Sequence, residues 1–136
     1  MLIVTCAIII HDGKILVCQR SSAMDLPLKW EFPGGKVEPG EDEALTIVRE
    51  IKEELHLDIE VVRQLEPTEH DYPTFRICLV PFIANVAGGE LLLNEHADAK
   101  WITVDELDRY DWAPADLPIV GQLKAETGLF KGNAHC

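Results

Sequence analysis

Residues 43–55 constrain this chain more than any other stretch. Ala44, Val48, Ile51 and Leu55 recur at helical spacing along one face. Glu50, Glu53 and Glu54 stand at i, i+3 and i+4 and share the face roughly opposite. Asp42 is placed to cap the helix start. The acids sit where a helix tolerates them least. Carboxylates near a C-terminus oppose the macrodipole, and the like-charged pair Glu50 and Glu54 costs about 0.2–0.5 kcal/mol. Two readings stay open: a solvated face of an ordinary amphipathic helix, or carboxylates converging on a divalent cation, whose hard oxygen ligands suit Mg²⁺ or Mn²⁺.

Around that helix the chain reads as strands and turns. Residues 2–10 and 14–20 read as two strands joined by Asp12-Gly13, a favoured hairpin turn. Further strands are expected near 57–65, 75–86 and 90–93, with Gly88-Gly89 turning between the last two, and a short one at 100–103. A small helix is expected near 104–109. After Pro114 and Pro118 comes a last helix of about ten residues ending near Gly128, then a frayed tail at 131–136. Residues 21–42 read as a long loop, and a loop of that length in a small domain is usually functional. Within it, Pro33-Gly34-Gly35 lets backbone approach a ligand closely and brings Glu41 near the base of the helix. No repeat or linker interrupts the sequence, so residues 1–136 read as one domain. Strands and helices without strict alternation imply an α+β or sandwiched α/β/α architecture.

Charge narrows the partners. Twelve basic against 24 acidic residues give a net charge of −12, a field that repels DNA, RNA and anionic membranes. No apolar run is long enough to span a bilayer, and residues 1–10 read as a strand rather than a signal peptide. Cys6, Cys18, Cys78 and Cys136 lack CxxC spacing and read as reduced thiols of a cytoplasmic protein. His11, His56, His70, His96 and His135 include no pair at metal-ligand spacing, so no zinc site is expected. The expected state is a monomer or homodimer.

Taken together, Gly35, Glu41, Arg49, Glu50, Ile51, Glu53, Glu54 and Leu57 resemble the Nudix box, Gly-x5-Glu-x7-Arg-Glu-(apolar)-x-Glu-Glu-x-Gly-(apolar), at every required spacing. One position departs: His56 stands where the pattern has its second Gly, at a helix end where a left-handed residue is common. The stretch from Trp30 to Glu38 is similar to the lead-in of the MutT branch and of bacterial CTP pyrophosphohydrolases.

The resemblance implies an α/β/α sandwich with a mixed curved sheet between helices. It implies Mg²⁺, with Mn²⁺ as a substitute, held by Glu50, Glu53, Glu54, the Gly34 carbonyl and Glu95. The implied reaction cleaves a nucleoside triphosphate to a monophosphate and pyrophosphate. Glu50 is favoured over Glu95 as general base, Arg49 orients the carboxylates, and Glu41 supports the loop or the metal shell. Arg20 is expected on substrate phosphate, with Gly34, Gly35 and Lys36 as further candidates.

Asp116 is expected to face the base. Ionised, it would accept from the cytosine amine; with a raised pKa it would also donate, suiting an oxidised purine. An N-cap for the last helix is its alternative role. Trp112, Tyr72 or Phe75 would stack on the base, or else belong to the core. The reading favours cytidine-type triphosphates over 8-oxo-dGTP. Nucleotide sugars, dinucleoside polyphosphates, a non-catalytic nucleotide-binding domain and an acidic interaction module are the alternatives.

Overall fold

The computed structural model describes residues 1–126. Strands β1 (Leu2–His11) and β2 (Lys14–Gln19) form the expected hairpin. Asp12 and Gly13 both adopt positive φ, 51° and 75°, as the tight turn demands. Then follow β3 (Trp30–Glu31), β4 (Gly34–Lys36), α1 (Glu43–Leu55), β5 (Leu57–Gln64), β6 (Thr68–Tyr72), β7 (Phe75–Gly89) and β8 (Asp98–Ile102). Two 3-10 turns, Val104–Arg109 and Pro114–Asp116, precede α2 (Leu117–Ala125). No described helix is long and apolar enough to cross a membrane.

The eight strands make one mixed sheet in the order β3-β2-β1-β7-β5, with β4 added to β1, β6 to β7 and β8 to β2. Strands β1 and β7 run parallel, from Leu2 beside Ile77 to Ile10 beside Asn85. Their alternate residues face opposite ways. Ala7, Ile9, Val80, Phe82 and Ala84 meet Ile47, Ile51 and Leu55 of α1. Cys6, Ile8, Leu79 and Ile83 meet Ile119, Val120 and Leu123 of α2 together with Leu107 and Trp112. The result is the expected α/β/α sandwich.

Seating decides the fate of α1. Ile47, Ile51 and Leu55 are fully buried, and each such side chain contributes about 1.5–3 kcal/mol. That outweighs the few tenths that the acids cost on the other face. Asp42 caps the helix, accepting from the Leu45 N–H at 3.0 Å.

Several expectations are corrected. Gly88 and Gly89 do not turn between two strands. They end β7, opposite Asp58 and Leu57 of β5, and residues 90–93 form no strand. Gly89 has φ +87°, and a Cβ there would land on the His56 carbonyl. The close approach turns the following N–H groups onto the end of α1: Glu90 to His56 O (3.3 Å), Leu92 to Leu55 O (3.0 Å) and Asn94 to Glu54 O (3.2 Å). These are the orphan carbonyls every helix end presents, so the backbone that would have built a strand caps a helix instead.

His56 itself is left-handed (φ 60°) and its N–H bonds Lys52 O. Its ring donates Nε2–H to Asn94 Oδ1 at 2.9 Å, because the Asn94 amide nitrogen is engaged with Glu53 O.

The 21–42 loop contains β3 and β4, and β6 had no sequence signal because Thr68–Tyr72 is polar. The helix near 104–109 is 3-10 in form. Helix α2 ends at Ala125, while Gly128 and the 131–136 tail lie outside the described residues. Cys6, Cys18 and Cys78 are free thiols.

Candidate active site

Glycines of β4 set the ground plan. This strand lies antiparallel on β1, Gly34 opposite Cys6 and Gly35 opposite Thr5. A Cβ on Gly34 would collide with the Thr5 carbonyl, and one on Gly35 would land on the Glu50 carboxylate. The missing side chain of Gly35 is therefore the berth in which Glu50 lies. Thr5 Oγ1 donates to Gly35 O at 3.1 Å and ties the strand down from below.

Over this berth opens a hollow of about 410 Å³, lined by Arg20, Glu31, Gly34, Glu50, Glu53, Glu54, Asn94, Glu95 and His96 among others. Five carboxylates border it. Burial, then the Glu50 side chain and the charges of Glu31 and Glu95, push the Glu54 carboxyl up to about 9. Among the described residues, no three His, Cys, Asp or Glu side chains form a ready-made metal cage. Of the carboxylates around the hollow, Glu50, Glu53 and Glu54 come from α1, Glu31 from β3 and Glu95 from the segment before β8.

A second cavity of about 580 Å³ adjoins the first, and Arg20, Glu31 and Gly34 belong to both. Its walls are mostly apolar: Val4, Cys6, Phe32, Tyr72, Phe75, Ile77 and Leu79, with Asp116 among them. Asp116 is 5% exposed, and its Oδ1 accepts from the Phe32 N–H at 3.0 Å. Burial pushes its carboxyl up to about 8, with Glu31 adding to the rise, against the Phe32 N–H and Arg20, which lower it. It stands at the N-cap position of α2, just before Leu117, but makes no side-chain cap there, so the capping role is overturned.

The NUDIX domain model matches residues 1–123. The chain belongs to the Nudix family. It is 37% identical over 120 residues to a CTP pyrophosphohydrolase of Escherichia coli, covering 88% of this chain and 89% of that protein. It is 29% identical to an 8-oxo-dGTP diphosphatase of the same species, covering 84% and 88%. The solution structure of a MutT protein (family Nudix hydrolase) from methicillin-resistant Staphylococcus aureus superposes with a TM-score of 0.75 at 42% identity, covering 92% of this chain and 96% of that one. The chain is a Nudix hydrolase, and such enzymes generally use divalent metal cations.

Within this Nudix site the expected residues divide. Arg20, Gly34, Glu50, Glu53, Glu54 and Glu95 come together at the hollow, and Gly35 borders the second cavity with Asp116. Arg49 does not line either space. Its Nη2 donates to Glu41 at 3.1 and 3.2 Å, and its Nη1 donates to Glu50 and Glu53 at 3.3 Å. Glu41 in turn accepts from the Glu38 N–H at 2.8 Å, and that bond, with Arg49, holds its carboxyl below the usual range. Lys36 is exposed and lines a separate hollow beside Glu38 and Glu41.

Among the aromatics, Tyr72 and Phe75 line the apolar cavity. Trp112 is core: it stacks on Phe32 at 4.9 Å and donates Nε1–H to Leu107 O.

Sequence reasoning gave no role to Glu31, Asn94 or His96. Glu31 sits on a two-residue strand, too short for any periodicity to show. Asn94 and His96 flank Glu95 and were legible only as its neighbours.

Proposed function

We propose that this Nudix hydrolase is a Mg²⁺-dependent nucleoside triphosphate pyrophosphohydrolase, converting NTP and water to NMP and pyrophosphate, with cytidine-type triphosphates, CTP, dCTP or modified forms, as its preferred substrates. One observation carries it: the acid hollow and the apolar cavity meet at Arg20, Glu31 and Gly34. A ligand with a flat ring and a charged tail fits both at once, ring against Tyr72 and Phe75 and phosphates in the hollow. The named relatives support nucleotide chemistry over a binding role.

In this reading Glu50, Glu53, Glu54 and Glu95, with the Gly34 carbonyl, hold the cation. Five carboxylates crowd this hollow and favour a cation, and the Glu54 carboxyl is raised by burial first and then by Glu50, Glu31 and Glu95. Mn²⁺ would substitute. Bound there, Mg²⁺ would offset the acids, withdraw charge from the phosphoryl oxygens and make water a better nucleophile.

The water oxygen bonds to the β phosphorus as the bond from that phosphorus to the α–β bridging oxygen breaks. The bridging oxygen leaves with the monophosphate. Glu50, berthed against Gly35, takes the water proton, with Glu95 as the alternative base. Arg49 keeps the Glu50 and Glu53 carboxylates in place, and Glu41 anchors Arg49. Arg20 meets the phosphate nearest the sugar, since it stands where the two cavities join.

Asp116 reads the base. Holding a proton at neutral pH, it accepts and donates on one edge. A cytosine edge answers with its amine and ring nitrogen. The same proton also serves an oxidised purine, so 8-oxo-dGTP is the second reading. One domain over 1–136 suffices for all of this, and the free Cys6, Cys18 and Cys78 thiols fit a cytoplasmic setting.

The test is pyrophosphate release from CTP, dCTP, 5-methyl-dCTP, dGTP and 8-oxo-dGTP with Mg²⁺, with EDTA and Glu50→Gln as controls. Metal-dependent release, fastest on a cytidine triphosphate and lost in the variant, is the expected result. No release from any of the five removes the triphosphate assignment and turns attention to nucleotide sugars, dinucleoside polyphosphates or a binding role.

A further inference from the structure

His96 carries a cost that the reaction described above does not explain. Its side chain is 2% exposed, and Nε2 lies 2.9 Å from Glu31 Oε2. Nδ1 is buried without a partner among the described residues. With the Glu31 oxygen as acceptor, Nε2 is the donor of this bond, and Nδ1 is left unanswered. A buried unsatisfied group of this kind costs about 1–3 kcal/mol. An apolar side chain would fill the space without that cost. What the imidazole supplies is therefore its Nε2–H to Glu31.

Glu31 passes the constraint on. Its other oxygen accepts from Arg20 Nη1 at 2.7 Å, and Arg20 Nε donates to the Asp25 carbonyl at 2.6 Å. The residues beside this chain of bonds are pinned as well, Ala97 N–H to the Gln19 carbonyl at 2.9 Å. Two bonds thus fix the plane of the guanidinium, while Arg20 Nη2 has no partner among the described residues. Arg20 stands where the two cavities join, with its Nη2 donors uncommitted.

We propose that His96 is a positioning residue for phosphate recognition: acting through Glu31, it fixes the Arg20 guanidinium so that its uncommitted donors meet the substrate phosphate nearest the sugar. This rests on the triphosphate reading above, although the clamp itself exists without substrate. A guanidinium held in advance loses less side-chain entropy when phosphate arrives. Because ground state and transition state both present that phosphate, the benefit belongs to KM more than to kcat.

The experiment compares His96→Met, which fills the space without an N–H, with His96→Gln, whose amide can reach Glu31 as Nε2–H does. In His96→Met, KM for the best triphosphate is expected to rise about tenfold, the size of one lost charge-assisted bond, with kcat changed less than about threefold. His96→Gln is expected to return KM to within about threefold of wild type. Glu31→Gln with His96→Met should be no worse than Glu31→Gln alone, since His96 acts through Glu31.

A second readout needs no substrate or metal: the Arg20 Nε–H resonance in ¹H–¹⁵N NMR. It should be sharp and exchange-protected in wild type and His96→Gln, and broadened or exchange-labile in His96→Met. An unchanged KM and an unchanged Arg20 signal in a folded His96→Met protein overturn the proposal. If wild type cleaves no triphosphate, the triphosphate reading fails, and the Arg20 resonance still decides whether His96 holds the guanidinium.

Discussion

Two carboxyls, the half-buried Glu54 and the buried Asp116, lie on either side of the Arg20–Glu31 junction, and both are pushed far up, to about 9 and about 8. Burial is the largest cause in each. Their company differs. Glu54 is pushed further up by Glu50, Glu31 and Glu95, whereas for Asp116 the Phe32 N–H and Arg20 work against the rise that Glu31 adds to. In the proposed reading a metal ion would relieve the crowded carboxyl best, because one proton removes only one of several charges. The Asp116 carboxyl, with fewer acids around it, is relieved by a single proton, which turns it into a donor as well as an acceptor. In the proposed reading, one energetic problem answered in two ways makes a cation site of one cavity and a reading head of the other.

The comparison can be broken first at the berth. Gly35→Ala places a methyl on the Glu50 carboxylate, so turnover should drop by about a hundredfold or more, as for the loss of a general base. Circular dichroism and Tm should show an intact fold. Unchanged turnover would mean that Glu50 does not need that position.

Next in size is Asp116→Asn. The amide keeps an acceptor for the Phe32 N–H and donates at every pH. Selectivity between cytidine and oxidised-purine triphosphates should shift about tenfold, the scale of one base-edge bond. The change in the ratio of kcat/KM values checks it.

Stability against pH sharpens the contrast. Both folded-state pKa values lie above ordinary carboxylate values, so the folded protein holds protons that the unfolded chain releases above about pH 4. The stabilisation is complete below that pH and is lost as pH rises through about 8 for Asp116 and about 9 for Glu54. Metal-free protein should therefore have a lower Tm at pH 9 than at pH 6. Saturating Mg²⁺ should flatten the part due to Glu54, and Asp116→Asn the remainder. A Tm that rises with pH would contradict both. The smallest effect is expected at Lys36, which lies outside both cavities: Lys36→Ala should change KM less than about twofold.

The two cavities also differ in how far the sequence disclosed them. Glu50, Glu53 and Glu54 share one helical turn, and helical geometry alone puts them on one face. The hollow they border was legible for that reason. The apolar cavity draws on β1, β4, β7, the segment before α2 and the loop ahead of β3, and no local spacing links them. Asp116 was found through resemblance, and Glu31 was passed over because a two-residue strand carries no pattern. The misjudged 90–93 segment shows the same limit. Its composition suited a strand, but whether its N–H groups meet a sheet or the end of α1 is settled by the crossing at Gly89, a tertiary event. His56 was recognised as a departure, while its bond to Asn94 joins residues far apart in sequence.

The parallel pairing of β1 with β7 bears on how the enzyme comes into being. Leu2 lies beside Ile77 and Ile10 beside Asn85, so the floor on which α1 rests joins the earliest part of the chain to a late one. During synthesis the acid-bearing helix emerges before half of that floor exists. Held apart from it, a thirteen-residue helix with repelling carboxylates near its end has little reason to persist. Closing so long a loop is the slow step of such topologies, on the order of milliseconds to seconds. A nascent chain halted before β7 therefore has the Gly35 berth on β4 and β1 but lacks Val80, Phe82 and Ala84, the part of the floor under α1 that β7 supplies.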